Sequence, residues 1–390
     1  MQDIKFLKSL NFFSLVWFCF FVYSSSFGQT KAETIETGVR RGTLDNGMRY
    51  LIHSKEAWEG QNVSMNLYVN TGHELEVDGQ TDISHYLEHL PFAIFLDEAT
   101  AKGGALLDAV HSGKFPWQGH THARHTCYLF LFDKVGSEIY NAELDILSRI
   151  IGGSLKPTPE NLAAEHGSFY QEYIHRNGPL GYDEERLFWN LSKVYAPPVR
   201  PEYYYEHVKG FDWDAVSSFY KDWYHPQRAT LMMVGPITDL DQAAQDIKAY
   251  FGKLKATPAK KLVYPQIAYL KSPNQFIQLE TDELKLSETK IDLYWRNHIP
   301  PKAEPKALEQ KWMYEMLYVL IGDHLRQIPT TYKLHYKLGI DKEMRLPALR
   351  LNFRVCTGKE QEAVQQVIAA LNQLKKQGVD EAAYQKYRQR

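Results

Sequence analysis

The nine residues Asp82-Ile83-Ser84-His85-Tyr86-Leu87-Glu88-His89-Leu90 constrain the fold of this chain more than any other stretch. Written as an α-helix, at about 100° per residue, they put His85 and His89 one turn apart on one face, with Glu88 beside them. Leu87 and Leu90 then point away, into a core. Two imidazoles at i and i+4 can hold one Zn²⁺, and a neighbouring carboxylate can take a proton from a metal-bound water. The chain has 15 histidines, so the pattern gains weight only if the fold can bring a third ligand to the pair.

Composition narrows the field. The chain has 390 residues, 44% hydrophobic and 24% charged, enough for two domains with their own cores. Its formal net charge is −2, which gives no reason to expect a nucleic-acid surface. Aromatic residues make up 13%, with 25 Tyr, suited to packing and to contacts with peptides. At the N-terminus Lys5 and Lys8 precede an apolar run over 12–23, followed by Ser26 and Gly28. That run is short for a membrane span of about 20 residues. Residues 1–28 are therefore expected to be a signal peptide cleaved before Gln29, the alternative being an uncleaved anchor. The mature protein would be secreted or periplasmic, with no stable membrane span. Cleavage removes Cys19 and leaves Cys127 and Cys356, too few and too far apart for a disulfide framework. Neither lies in a metal-binding spacing, so a metal would be held by His and carboxylate.

Along the chain, Leu44-Asp45-Asn46-Gly47 sits inside a predicted hairpin over 43–52, with Asn46-Gly47 at a tight turn. Val63, Met65, Leu67 and Val69 alternate with polar residues as a half-buried strand. After the His-x-x-Glu-His helix come a helix near 100–110, a strand–turn–strand over 117–132 and a helix over 137–151. The next segment begins Thr158-Pro159, a capping residue before a proline suited to the first helical position, and stops at Asn177-Gly178-Pro179. In it Glu165 and Glu172 are seven apart, two turns, on one face. That face could bring a carboxylate to His85 and His89, or be a solvated acidic face.

These segments together resemble the pitrilysin/insulinase (M16) family of zinc peptidases, whose motif is the inverted His-x-x-Glu-His. Leu44-Asp45-Asn46-Gly47 resembles its opening hairpin. Gly72-His73-Glu74-Leu75-Glu76 resembles the segment before its metal helix, and His125-Thr126-Cys127-Tyr128 resembles one of its strands. Phe219-Tyr220-Lys221-Asp222-Trp223-Tyr224-His225-Pro226, followed by Leu231-Met232-Met233-Val234-Gly235, resembles a later one, and Phe251-Gly252 follows in order. The resemblance covers about residues 40–255. It implies that His85, His89 and Glu172 bind Zn²⁺, that Glu88 is the general base and that Glu165 supports catalysis. It also implies substrate contacts at Gln118, Gly119 and Thr121, and more loosely at Arg326 and Tyr332.

The chain departs from the family pattern in places. Asp82 stands where the family has Gly, Gln118 replaces an Asn, and Leu90-Pro91-Phe92-Ala93-Ile94-Phe95 lacks the usual Gly-Thr. His120, His122 and His125 are read as edge-strand or substrate-groove histidines before a second metal site. Residues 253–266 read as a Lys/Pro-rich linker. Residues 267–390 read as a second layer without the metal motif, with strands at 276–279, 290–295 and 349–355 and helices over 306–322 and 360–377.

The expected fold is α+β: two similar domains, each an antiparallel-rich sheet with helices on one face, as in pitrilysin and mitochondrial processing peptidase. Residues 29–252 would form the metal-bearing domain. The expected function is zinc-dependent hydrolysis of peptides or unfolded polypeptides. The rival is a non-catalytic peptide-binding or partner subunit. The chain stops inside an expected helix, which suggests that a second half is supplied by a copy of itself, another chain or a missing C-terminal half.

Overall fold

A computed structural model describes residues 38–55, 62–112, 117–177, 182, 198–257, 260–263, 288–296, 305–326, 337–340, 348–378 and 381–388. The signal segment 1–28 and the strand expected at 276–279 lie outside the described residues. Among those described, no helix is long and apolar enough to cross a membrane. The chain divides into two compact units, one spanning Glu33–Lys271 and the other containing Ser272–Arg390.

The first unit is built on a six-stranded sheet of β1 (Val39–Thr43), β2 (Arg49–Ser54), β3 (Val63–Val69), β4 (Gln118–Thr121), β5 (Thr126–Phe132) and β6 (Ala229–Gly235). The order is β1-β2-β6-β3-β5-β4. Only the β2–β6 pair is parallel. The period-2 pattern of β3 is realised in full: Val63, Met65, Leu67 and Val69 are all buried. The β1–β2 connection differs from the expected two-residue turn. The Gly47 N–H donates to Leu44 O at 2.8 Å and the Leu44 N–H to Met48 O at 2.8 Å, so Asp45 and Asn46 are the central residues. Gly47, at φ 86°, supplies the left-handed residue that closes the loop. Asn46 is instead an anchor, its Nδ2 donating to Phe251 O at 2.7 Å.

Among the described residues the helices that accompany this sheet are α1 (Ile83–Lys102), α2 (Gly104–His111), α3 (Glu138–Ile151), α4 (Pro159–Asn177), α5 (Pro201–Lys209), α6 (Trp213–Trp223) and α7 (Leu240–Phe251). Leu87 and Leu90 of α1, Leu144 and Leu147 of α3, Phe219 of α6 and Ile247 of α7 share one core with Met65, Tyr128 and Leu231 of the sheet. The metal-motif helix runs farther than its sequence suggested. It passes through Pro91 and ends only at Gly103, so the helix expected near 100–110 is divided between α1 and α2. Pro91 removes one N–H from the ladder, but the packing of Leu87, Leu90, Ile94 and Phe95 carries the helix past it. The start of α4 follows its sequence signals closely. The Asn161 N–H donates to Thr158 Oγ1 at 3.1 Å, and the Thr158 N–H donates back to Asn161 Oδ1 at 2.9 Å, a reciprocal cap.

The start of α1 is unusual. Asp82 has φ 66° and ψ 10° and makes no side-chain cap of its own. The first-turn N–H groups are taken by Glu76 from six and eight residues upstream: Oε2 accepts from Asp82 N at 3.1 Å and Oε1 from Ser84 N at 3.0 Å. The Ser84 hydroxyl also donates to Glu76. The Tyr204 hydroxyl donates to Asp82 Oδ2 at 2.8 Å, so α5 holds the left-handed residue from outside. The departure at position 82 thus has a physical reading: the backbone there is one that glycine adopts freely, and Asp tolerates it better than most residues.

The second unit has a three-stranded antiparallel sheet in the order β7-β9-β8, from β7 (Glu288–Arg296), β8 (Lys337–Ile340) and β9 (Ala348–Cys356). Its helices are α8 (Pro305–Arg326), α9 (Glu360–Gln377) and α10 (Glu381–Arg388). Leu317, Ile321 and Leu325 of α8 pack with Phe353 and Val355 of β9 and Val367 and Leu371 of α9. Both units are α+β with antiparallel-rich sheets. The left-handed backbone at position 82 predicts that Asp82→Gly is more stable than Asp82→Ala by about 1 kcal/mol, since both lose the Tyr204 bond and only Gly is free of the Cβ penalty. Denaturant unfolding of the two variants checks this; equal midpoints would contradict it.

Candidate metal centre

Two helices make the centre. α1 supplies His85, Glu88 and His89; α4 supplies Glu165, Phe169 and Glu172. They are held face to face by Tyr86, which is fully buried. Its hydroxyl donates to Leu162 O at 2.9 Å and its ring stacks on His166 at 5.6 Å. Phe169 packs beside both histidines, with ring centroids 4.5 Å from His85 and 5.2 Å from His89. The two imidazoles cannot tilt toward α4 without displacing that ring.

The donor atoms converge. His85 Nε2 and His89 Nε2 are 3.4 Å apart. Glu172 places Oε1 3.5 Å from His85 Nε2 and Oε2 3.2 Å from His89 Nε2. Among the described residues these three form the group whose His, Cys, Asp or Glu donor atoms gather, all within 4.8 Å. A tetrahedral ion bound at about 2.0–2.1 Å requires donor–donor edges of about 3.4 Å, so the residues present fit Zn²⁺. Around the trio lie two further carboxylates. Glu165 Oε2 is 3.1 Å from His89 Nδ1, and Glu88 Oε2 is 3.8 Å from His85 Nε2. Three carboxylates facing two imidazoles carry more negative charge than the imidazoles can neutralise, a setting that favours a dication.

Electrostatics follow from these contacts. Burial acts to lower the His89 pKa, but the hydrogen bonds to Glu165 and Glu172 and the nearby Glu88 charge outweigh it and push it up to about 9. The hydrogen bonds from His85 and His89 hold Glu172 well below the usual carboxylate range, against burial. In the metal-free protein, His89 is therefore the group that must lose a proton before the cluster can ligate.

Glu88 is buried, on the side of α1 toward the edge strand β4. The Thr121 hydroxyl donates to Glu88 Oε2 at 2.9 Å. Gly119 lies against the same carboxylate; a Cβ there would overlap Oε1 and sit 2.5 Å from the carboxylate carbon, displacing the end of the Glu88 side chain. Gly119 and Thr121 are half-buried, while Gln118 and His120 are exposed. The His122 and His125 rings lie 4.6 Å apart, tilted by 37°, but His120, His122 and His125 do not make a three-donor cluster. Arg326 ends α8 in the second unit, and its side chain lies outside what is described, as does Tyr332 altogether. Cys127 and Cys356 are both free thiols, the first buried and the second exposed. Three participants were not singled out from sequence. Phe169 could have been, since it falls on the Glu165/Glu172 face at i+4 and i−3. Glu76 as a cap and Tyr204 as a clamp arise from contacts between distant segments and leave no local signal.

Comparison with known proteins places the chain among peptidase relatives. Residues 211–390 match the peptidase M16 inactive domain; this segment holds none of His85, His89 and Glu172. Protein YhjJ of Salmonella typhimurium is 23% identical over 323 residues, covering 78% of this chain and 59% of YhjJ. A probable zinc protease of Escherichia coli, PqqL, is 23% identical over 293 residues, 73% of this chain and 30% of its own. The crystal structure of PqqL, a periplasmic protease, superposes with a TM-score of 0.65 at 19% identity, covering 90% of this chain and 39% of that one. The ferredoxin protease FusC, solved in complex with Arabidopsis ferredoxin, gives a TM-score of 0.67 at 18% identity with the same coverage. The fold is that of M16 peptidases, and the chain spans 59% of YhjJ and smaller shares of the larger relatives.

The raised His89 pKa predicts proton-linked metal binding. Its contribution to the metal-free fold is full below its ordinary value of 6.5 and is lost as pH rises through about 9. Over the same window, apparent Zn²⁺ affinity should climb with pH, with about one proton released per ion, and level off above it. Calorimetric titration in buffers of different ionisation enthalpy checks this; affinity independent of pH across that window would contradict it.

Proposed function

We propose that the chain is the metal-bearing half of a zinc-dependent endopeptidase acting on peptides or unfolded polypeptides. The observation that carries the reading is the convergence of His85, His89 and Glu172 donor atoms within 4.8 Å, with the Glu88 carboxylate alongside. In this reading residues 29–252 are the metal-bearing domain, 253–266 the linker and 267–390 a second M16-like domain without a metal site. His85, His89 and Glu172 hold the ion. When bound, zinc supplies Lewis acidity that makes a water nucleophilic at neutral pH and polarises the scissile carbonyl. Glu88 takes the proton of the attacking water and returns it to the leaving amine. Thr121 holds one oxygen of Glu88 and leaves the other to receive that proton. Glu165 accepts from His89 Nδ1, which turns Nε2 toward the ligand set.

The substrate-binding part of the reading rests on β4. Among the described residues it is an edge strand, paired only with β5, so an extended peptide can add to it by main-chain hydrogen bonds. Gly119 and Thr121 would then carry the peptide past Glu88. Strand addition selects chains that are already extended, hence unfolded polypeptides over folded ones. The fraction of its relatives that the chain spans supports a second half, as a homodimer, a heteromer or a further segment. The signal-like pattern at 1–28 and the periplasmic location of PqqL support a secreted or periplasmic protein.

A second reading is a non-catalytic subunit that keeps the fold and binds peptide. The match of 211–390 to a domain described as inactive and the Gln at position 118 favour it. Metal content and cleavage of an unstructured peptide, measured on the same samples, separate the two. The wild type should hold about one zinc per chain. Glu172→Ala should lose it, while Glu88→Gln should keep it and lose about 10²–10⁴-fold in kcat. Glu165→Ala should weaken metal affinity about 10–100-fold. Zinc without cleavage in the wild type would favour the binding subunit; no zinc in the wild type would sink the peptidase reading.

A further inference from the structure

The ladder between β4 and β5 decides which residues of β4 can bond a peptide and which can read its side chains. The His122 N–H donates to His125 O at 2.9 Å, which makes that a bonded pair. Bonded and non-bonded pairs alternate along an antiparallel ladder. His120 and Gln118 therefore spend their main-chain groups on Cys127 and Leu129, the residues opposite them. Those of Gly119 and Thr121 point to the outer edge. The neighbouring ladders agree. The Asn70 N–H donates to Arg228 O at 2.9 Å, which turns Tyr68 and Asn66 toward β6 and leaves Val69, Leu67 and Met65 to bond Thr126, Tyr128 and Phe130. Cys127 and Leu129 are then turned toward β4. Side chains divide the other way. A Cβ on Gly119 would meet Glu88, and the Thr121 hydroxyl bonds it, so these two residues face α1. Gln118 and His120 point to the opposite face, and both are exposed.

We infer that His120 is a specificity-determining residue, which selects peptides carrying an acidic side chain at the position that pairs with it; the inference rests on the reading of β4 as the strand that receives the peptide. A peptide bonded antiparallel to Gly119 and Thr121 has one residue between those two contacts, directly opposite His120 and on its face. That pair has no main-chain bonds of its own, and in such pairs the Cα atoms are about 4.5 Å apart and the side chains approach most closely. The residues on either side of it face α1 and Glu88. What His120 offers its partner is an imidazole N–H, and its neighbour on the same face is another imidazole, that of His122, with ring centroids 6.4 Å apart. The carboxylates near β4 do not compete for this place: Glu88 lies on the other face with Thr121, and Glu74 is buried against Arg124. A substrate carboxylate can accept from the imidazole, and by its charge it favours the protonated ring, whereas a substrate ammonium has no acceptor to gain and is repelled by that ring.

The test maps the bonds that the zinc-loaded chain cleaves in a library of unstructured peptides, counting Glu, Ala and Lys at each position around them. The wild type should enrich Glu over Lys by up to about fivefold at one position, the worth of an opposite-charge cross-strand pair. His120→Ala should level that position, and His120→Glu should reverse it in favour of Lys, with the other positions left as in the wild type. A profile that His120→Glu leaves unchanged would overturn the inference. So would one shifted alike at several positions, which would mean a general surface field and no paired residue. If the wild type binds zinc but cleaves nothing, the peptidase reading fails and this inference is decided by binding. Fluorescence anisotropy then compares two labelled peptides, one alternating Ala with Glu and one alternating Ala with Lys, on the wild type and on His120→Glu. Opposite preferences in the two proteins support the inference; the same preference in both, or no binding at all, overturns it.

Discussion

The centre depends on the packing of α1 against α4. Neither helix has a reason of its own to present a cluster of charged groups to the other. The apolar contacts do that. Tyr86 is fully buried and Phe169 nearly so, each worth about 1.5–3 kcal/mol of transfer free energy. Tyr86 spends its hydroxyl on Leu162 O and its ring on His166. With these rings seated, the seven-residue spacing of Glu165 and Glu172 delivers one carboxylate to each side of His89. The His85, His89 and Glu172 donor atoms are therefore brought together by aromatic packing.

A second constraint acts at the N-terminus of α1. The helix that carries His85, Glu88 and His89 begins on a left-handed Asp82, which costs free energy by itself. Glu76, Ser84 and Tyr204 hold it there. Strain near a functional site persists when its surroundings over-determine it, and here the same groups fix where the helix starts. They thereby set the rotation at which Glu88 meets Thr121. β4 completes the arrangement: among the described residues its outer edge, beside Glu88, pairs with no strand.

Much of this was legible in the sequence, and the reasons are local. The spacing of His85, Glu88 and His89 fixes their common face at any place where the segment is helical. The alternation of Val63, Met65, Leu67 and Val69 identifies a strand, and Thr158-Pro159 marks the start of α4. Readings that depended on one residue fared less well. Asn46-Gly47 suggested a two-residue turn, but Asn46 is drawn into a bond with Phe251 O from 205 positions away. The helix expected near 100–110 is divided instead, because core packing carries α1 through Pro91 to Gly103.

The sequence by itself determined which side chains share a face, because helical and strand periods are properties of the backbone alone. It could not determine which faces meet. That His85 and His89 confront Glu172, that Glu165 takes His89 Nδ1, and that Thr121 reaches Glu88 across 33 positions were decided by tertiary packing. Such contacts pair residues that no periodicity links. The burial of Tyr86 and Phe169 holds α1 against α4.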